Sequence, residues 1–282
     1  MIKVIKSGFY TTIQDLGRFG YRRYGVPVSG AMDLYSCEFA NALLGNSRGC
    51  AVLEMTMVGP TLQFLKPTRI VLSGAFMNPK LNAIPIDMNS VVSVKRNDVL
   101  SFGRLEYGFR SYLAVKGGFK SEAIFGSRSM YTDITTSAHV EKDDAINYLS
   151  VDDVFDNSNA HVKYNDYVFN NEYLEVFKGP EYDKLSKTQK DALLNRELKV
   201  SKYNNRMAYQ LEPLLENTLE PILTSPVLPG TVQLTPLGQL IVLMRDCQTT
   251  GGYPRILLLT ENAINTLSQK STGNVLKIRL KD

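Results

Sequence analysis

Short apolar segments that alternate with polar residues, each closed off by Gly, Pro, Asn or Ser, recur along the chain and constrain its fold more than any other feature. Ile2 and Val4, then Leu53, Met55 and Met57, then Val275, Leu276 and Ile278 among lysine and arginine, suit half-buried strands. The stretches 69–74 (RIVLSG), 98–103 (DVLSFG), 110–118 (RSYLAVKGG), 173–180 (YLEVFKGP), 206–211 (RMAYQL) and 239–244 (QLIVLM) are bounded in the same way. Strands at this spacing predict barrels or sandwiches. Helical periodicity is confined to 32–44, 185–197 and 261–269. In the first of these Ser29 or Gly30 is the expected cap, with Asp33 in the first turn and Gly45-Asn46 as the stop; in the second, Ser186 leads in. A doubly wound parallel sheet, which needs a helix between most pairs of strands, is disfavoured.

A chain of 282 residues has room for two halves. The span from about 131 to 172 is polar, rich in Asp, Asn and Ser, and holds both histidines, His139 and His161. It reads as a seam or surface excursion at 136–172 between lobes at 1–135 and 173–282. Hydrophobic residues at 44% and charged residues at 21% place the chain among ordinary folded proteins. Its net charge of +4 is scattered rather than gathered in a basic run, which argues against nucleic-acid or membrane-surface binding. The longest apolar runs, LIVLM at 240–244 and ILLL at 256–259, fall far short of the roughly 20 residues of a membrane span. The start, MIKVIKSGFYTT, has no apolar signal core, and Cys37, Cys50 and Cys247 are odd in number and widely spaced. Both features predict a cytoplasmic protein without disulfides or a cysteine-bound metal.

The standard phosphate-loop, dinucleotide, nucleophile-elbow and zinc-helix signatures are absent. Two segments concentrate glycine with polar side chains: TTIQDLGRFGYRRYGVPVSGAMD (11–33) and MRDCQTTGGYPRI (244–256). Glycine lets backbone amides approach a ligand, although the first segment by itself reads more readily as a tight strand-to-helix connection. In the second, Asp246, Gln248, Thr249 and Thr250 would stand at a sheet edge, ahead of backbone able to donate to an anion. The same residues also describe a turn capped by Asp246.

These two segments, together with ANALLGN, LEMTMVGP, YLAVKGGF, GSRSMY, FKGPE, NRMAYQLE and SPVLPGTVQLTPLGQ, span nearly the whole chain. In residues and order they resemble the family that includes the C-type component of bacterial 5-oxoprolinase, also called KipA, and the carboxyltransferase part of urea carboxylase. The resemblance implies a mainly β protein with a few helices, built as two cyclophilin-like β-barrel lobes that face a central cleft and can exchange strands. It implies an enzyme subunit acting on an amide, a lactam or a urea-like acceptor. The leading expectation is ATP-dependent opening of 5-oxoproline to glutamate with a B-type, KipI-like partner and an A-type subunit, ATP being held in part by the partner. One alternative is biotin-dependent carboxyl transfer, with biotin on a separate carrier; another is a regulatory protein antagonising a KipI-like kinase inhibitor.

Chemistry on such a substrate calls for a carboxylate to accept N–H bonds and for arginine or backbone amides at a developing oxyanion or phosphate. Asp246 suits the first role; Arg18, Arg255 and the amides of Gly251 and Gly252 suit the second; Tyr253 would donate or stack. Gln14, Asp15, Ser29, Gly30, Asp33, Lys116, Arg206, Gln248 and Thr249 complete the expected binding set. No metal is expected. The chain departs from the family pattern at Ala208, where glycine is usual, and over 137–150.

Overall fold

The computed structural model describes residues 1–150 and 163–281. Two compact units divide the chain: one comprises Met1–Arg18 and Ser29–Asp166, the other Phe19–Val28 and Tyr167–Asp282. The glycine-dense 20–33 segment is therefore split, its arginine-bearing half belonging to the second unit.

The first unit is built on two antiparallel sheets. One has the strand order 145–146, 2–6, 61–64, 99–101, 80–81, 84–85; the other has the order 10–14, 52–56, 107–115, 68–76, 92–94. Ile2, Val4, Leu62 and Phe64 from the first sheet pack with Ile13, Leu53, Met55, Leu72 and Leu113 from the second in one core. Helix α1 (Leu34–Leu43) covers the far face of the second sheet, where Cys37, Ala40 and Leu44 meet Val52, Val71, Tyr112 and Ala114. That sheet is thus covered on both sides, and strand Val52–Thr56 is buried at all five positions instead of alternating. Each aliphatic side chain so enclosed contributes about 1.5–3 kcal/mol of burial free energy. Asp33, rather than Ser29 or Gly30, is the N-cap of α1: its carboxylate accepts from the Ser36 amide at 3.1 Å. Ser29 and Gly30 have φ of 58° and 92° and lie in the preceding loop.

The second unit is a closed seven-stranded barrel, in the order 173–178, 255–259, 231–234, 240–243, 208–212, 198–204, 275–280. Its last and first strands, 275–280 and 173–178, pair in parallel. Buried apolar residues alternate along the strands, as at Leu174 and Val176, Leu240 and Val242, and Leu276 and Ile278, while strand 231–234 is buried at all four positions, with Thr231 and Gln233 between its apolar residues. Helix α2 spans Tyr167–Asn170, and α3 (Lys187–Asn195) starts at Ser186 in a reciprocal cap with Gln189. Helix α4 (Glu261–Ser268) is capped by Thr260. No helix among the described residues is long and apolar enough to cross a membrane. The strand at 240–243 ends three residues before Asp246, which follows it in a turn.

Candidate functional site

In the first unit the polar residues of the 11–33 segment are knitted to the GSRSMY segment. The Asp15 carboxylate accepts from Ser127 Oγ at 2.6 Å, Ser129 Oγ at 2.7 Å, and the Gly17 and Arg128 amides at 2.8 and 2.6 Å. Four donors fill most of the lone-pair sites of a carboxylate, so Asp15 organises two loops. Arg18, fully buried, donates to the Ser129 carbonyl. Gln14 donates to Thr12 Oγ1 and the Met130 carbonyl, at 3.1 and 3.3 Å. Gly30 has to be glycine, since a Cβ there would lie 2.9 Å from the Leu16 carbonyl carbon and oxygen. Lys116 gives its ammonium to the Leu44 carbonyl at 2.7 Å, a cation at the C-terminal end of α1.

On the α1 side of the second sheet sits an acid–base pair that is not among the residues expected from the sequence. Glu54 accepts from the Met32 amide at 2.7 Å and lies 3.8 Å from Arg110 Nε, both side chains being buried. The signal was a glutamate in the strand LEMT and an arginine at the head of RSYLAV, charges inside otherwise apolar strands. Tyr112 Oη accepts from the Asp33 amide at 2.8 Å. Burial first, and then the nearby Glu54 and Asp33 charges, push the Tyr112 hydroxyl and the Cys37 thiol well above their ordinary values, so both stay protonated.

The second unit gathers the rest. An Asx turn at Asn205, whose side chain accepts from the Met207 and Ala208 amides at 2.8 and 3.0 Å, presents Arg206 at the hairpin between strands 198–204 and 208–212. Arg206 Nε and Nη2 grip Asp246 Oδ2 and Oδ1 at 2.7 and 3.0 Å, and the Asp246 amide donates to the Arg206 carbonyl at 2.9 Å. One acceptor site on each Asp246 oxygen is thus taken by an arginine. Arg255 is held likewise: Nε and Nη2 meet Glu181 at 3.1 and 3.0 Å, and Nη1 donates to the Pro226 carbonyl at 3.1 Å. Gly179 brings Glu181 there, because a Cβ at that position would be 2.2 Å from the Arg255 carbonyl oxygen. Hydrogen bonding from Arg255 holds the Glu181 carboxyl below its usual range.

Gln248 reaches Gln233 Oε1 at 3.5 Å. The Thr249 carbonyl accepts from the Val227 amide at 3.1 Å, and the Gly252 carbonyl from the Ile222 amide at 2.9 Å. Gly251 pairs with Ser225 in a two-stranded ribbon, and Tyr253 is 40% exposed beside it. Cys247 is buried, and burial pushes its thiol up to about 11 even though neighbouring Arg22 opposes the shift. An open groove of about 520 Å³ in this unit is lined by Glu181, Lys184, Glu220, Leu223, Ser225 and Pro254, among others. His139, in the first unit, rests against the Tyr10 ring at 5.9 Å between centroids; His161 lies outside the described residues. Among the described residues no group of three or more His, Cys, Asp or Glu is placed to hold a metal.

The site candidates therefore form two groups. Gln14, Asp15, Arg18, Ser29, Gly30, Asp33 and Lys116 belong to the first unit; Arg206, Asp246, Gln248, Thr249, Gly251, Gly252, Tyr253 and Arg255 belong to the second. Glu54, Arg110, Glu181, Gln233 and Arg22 join them from the structure.

Comparison with known proteins gives this arrangement a context. The family model for the carboxyltransferase domain, subdomain A and B, matches residues 24–280. The C-type 5-oxoprolinase subunit of Escherichia coli K12 is 33% identical over 280 residues, 97% of this chain and 89% of that protein. The crystal structure of the Kluyveromyces lactis urea carboxylase superposes on 98% of this chain with a TM-score of 0.86 at 25% identity, and this chain spans 27% of it. The crystal structure of TTHA0988 covers the whole chain with a TM-score of 0.85 at 24% identity, a likeness of fold, and this chain spans about half, 55%, of its length.

Proposed function

The chain belongs to the family of carboxyltransferase domains with subdomains A and B, and from that membership we propose that it is the C-type subunit of an ATP-dependent 5-oxoprolinase. In this reading it works with a B-type and an A-type subunit to open the lactam of 5-oxoproline to glutamate. The observation that carries the reading is the 33% identity to a C-type 5-oxoprolinase subunit over nearly the full length of both chains.

Amide resonance makes a lactam carbonyl a poor electrophile, so ring opening needs activation as well as a nucleophile. Cys37 and Cys247 are buried thiols held protonated, which removes them as nucleophiles. A triphosphate carries several negative charges, whereas Arg206, Arg255, Arg245 and Arg110 each already face a carboxylate: Asp246, Glu181, Glu261 and Glu54. These four pairs have little charge to spare for a nucleotide, which supports the reading that ATP is shared with a partner subunit. The part left to this chain is to bind and orient the lactam while activation is supplied from the partners.

A second reading, transfer of a carboxyl group from carrier-borne biotin to a urea-like acceptor, draws on the family description and on the likeness to urea carboxylase. One experiment separates the two. The chain is assembled with its B-type and A-type partners, and glutamate formation from 5-oxoproline is measured with and without avidin. ATP-dependent glutamate release that avidin leaves untouched is expected. Absence of glutamate, or loss of product when avidin sequesters biotin, overturns the proposal.

A further inference from the structure

The arginine-rich half of the 20–33 segment carries a cation with no ion-pair partner among the described residues. Residues Arg22–Tyr24 form one 3₁₀ turn, closed by Gly25 at φ 79° with its amide on the Arg22 carbonyl at 3.0 Å. The left-handed conformation at that position favours glycine, and the turn fixes the direction of the Arg22 side chain. Arg22 Nη2 donates to the Val227 carbonyl and, at 3.3 Å, to the Thr249 carbonyl, and the guanidinium lies beside Cys247. Nη1 is buried and meets no oxygen acceptor, and the guanidinium also hydrogen-bonds the Cys247 thiol.

The charges around the 244–256 segment make this arginine unusual. Arg206 is cancelled by Asp246, Arg245 by Glu261 and Arg255 by Glu181. Among the described residues Arg22 meets carbonyls and a thiol, so one positive charge is left over at this corner. A second orphan donor stands close by. Gln233 is 2% exposed, and its Nε2 is buried with no partner. A Cβ on Gly251 would be 2.5 Å from that nitrogen and 3.4 Å from Val227 Cγ1, so the Gln233 amide and the Val227 segment that Arg22 holds meet at the same glycine.

Buried donors without acceptors are costly, and native proteins keep them where a ligand or water completes the bond. Two N–H donors and one uncancelled positive charge describe a site for a monoanion rich in oxygen. A triphosphate would need more positive charge, and an uncharged acceptor such as urea would leave the charge unmatched. A lactam bearing a carboxylate matches it. From this we infer that Arg22 binds the carboxylate of the substrate, with the Gln233 carboxamide as the second donor at the same corner; the inference rests on the 5-oxoprolinase reading. In this role Arg22 is a binding residue that selects carboxylated over uncharged lactams.

The test uses the reconstituted complex and two substrates, 5-oxoproline and 5-oxoprolinamide, which replaces the carboxylate by a neutral group of the same shape. The quantity read is the ratio of their kcat/KM values, which a general loss of folded protein does not move. The Arg22→Gln variant is expected to lower that ratio at least tenfold, chiefly through KM for 5-oxoproline, and Arg22→Lys to lower it less. An unchanged ratio in Arg22→Gln, or in Arg22→Lys where the glutamine variant does not assemble, overturns the inference while the functional reading stands. A loss confined to avidin-sensitive carboxyl transfer assigns the anion to carboxylated biotin and also overturns it. A wild-type complex that opens neither lactam overturns the functional reading and the inference together.

Discussion

Arg206 and Asp246, 40 residues apart in sequence, form a two-pronged ion pair, Nε to Oδ2 at 2.7 Å and Nη2 to Oδ1 at 3.0 Å, with side chains only 6% and 10% exposed. Removing one member of such a pair strands the other charge away from water. Asp246→Asn is therefore expected to destabilise the chain by about 3 kcal/mol. A double replacement, Arg206→Met with Asp246→Leu, should cost less than the single one, because no charge is left stranded. Urea unfolding of the three proteins checks this; a single variant as stable as wild type would show that the pair carries no stability.

The Arg255–Glu181 pair makes a pH prediction. Its carboxyl is held below the ordinary value, first by the Arg255 side-chain hydrogen bond, so the folded state binds this proton less readily than the unfolded chain does. The stabilisation is complete above the unfolded carboxyl value, about 4.3, and is lost as pH falls through the lower folded value. The stability gap between wild type and Glu181→Gln should be constant at neutral pH and shrink below about pH 4. Urea midpoints collected across the acid range would expose a gap that instead widened.

Thiol chemistry separates the three cysteines. Cys37 and Cys247 are buried with raised values, while Cys50 is only partly buried. Titration of the native chain with a disulfide reagent at mild alkaline pH should modify Cys50 first, and the other two only after unfolding. Rapid modification of all three in the native state contradicts the burial described for Cys37 and Cys247.

Two glycines of the expected binding set should behave differently. Gly30 has φ of 92° and no room for a Cβ against the Leu16 backbone, so Gly30→Ala is expected to cost about 2 kcal/mol. Gly252 has ordinary φ and its nearest neighbour, the Ile222 carbonyl oxygen, would be 3.5 Å from a Cβ. Gly252→Ala should stay within about 0.5 kcal/mol of wild type. Melting temperatures compared side by side decide both.

Much of the architecture was readable from local pattern. Alternation marked the strands at 69–74, 110–118 and 239–244, and they form at Thr68–Phe76, Tyr107–Val115 and Leu240–Leu243. Ser186 before its helix and Gln189 three residues on make the reciprocal cap that their spacing allows. The short strand at Thr231–Leu234 sits inside a proline-rich stretch, and pairing with its barrel neighbours 240–243 and 255–259 defines it. The family motifs, too, were visible as linear strings.

What no string shows is where a charge finds its partner. Arg255 and Glu181 lie 74 positions apart, and Arg22 meets a carbonyl 205 positions away. Coulomb attraction and hydrogen bonding act over a few ångströms of space, and the folding of strands into a barrel sets those distances. The amino-acid sequence by itself determined a β-rich chain, three of its helices and the residue types available for binding. Only the tertiary structure decided that Arg206 and Arg255 are neutralised by acids, and that Arg22 keeps its charge among carbonyl oxygens.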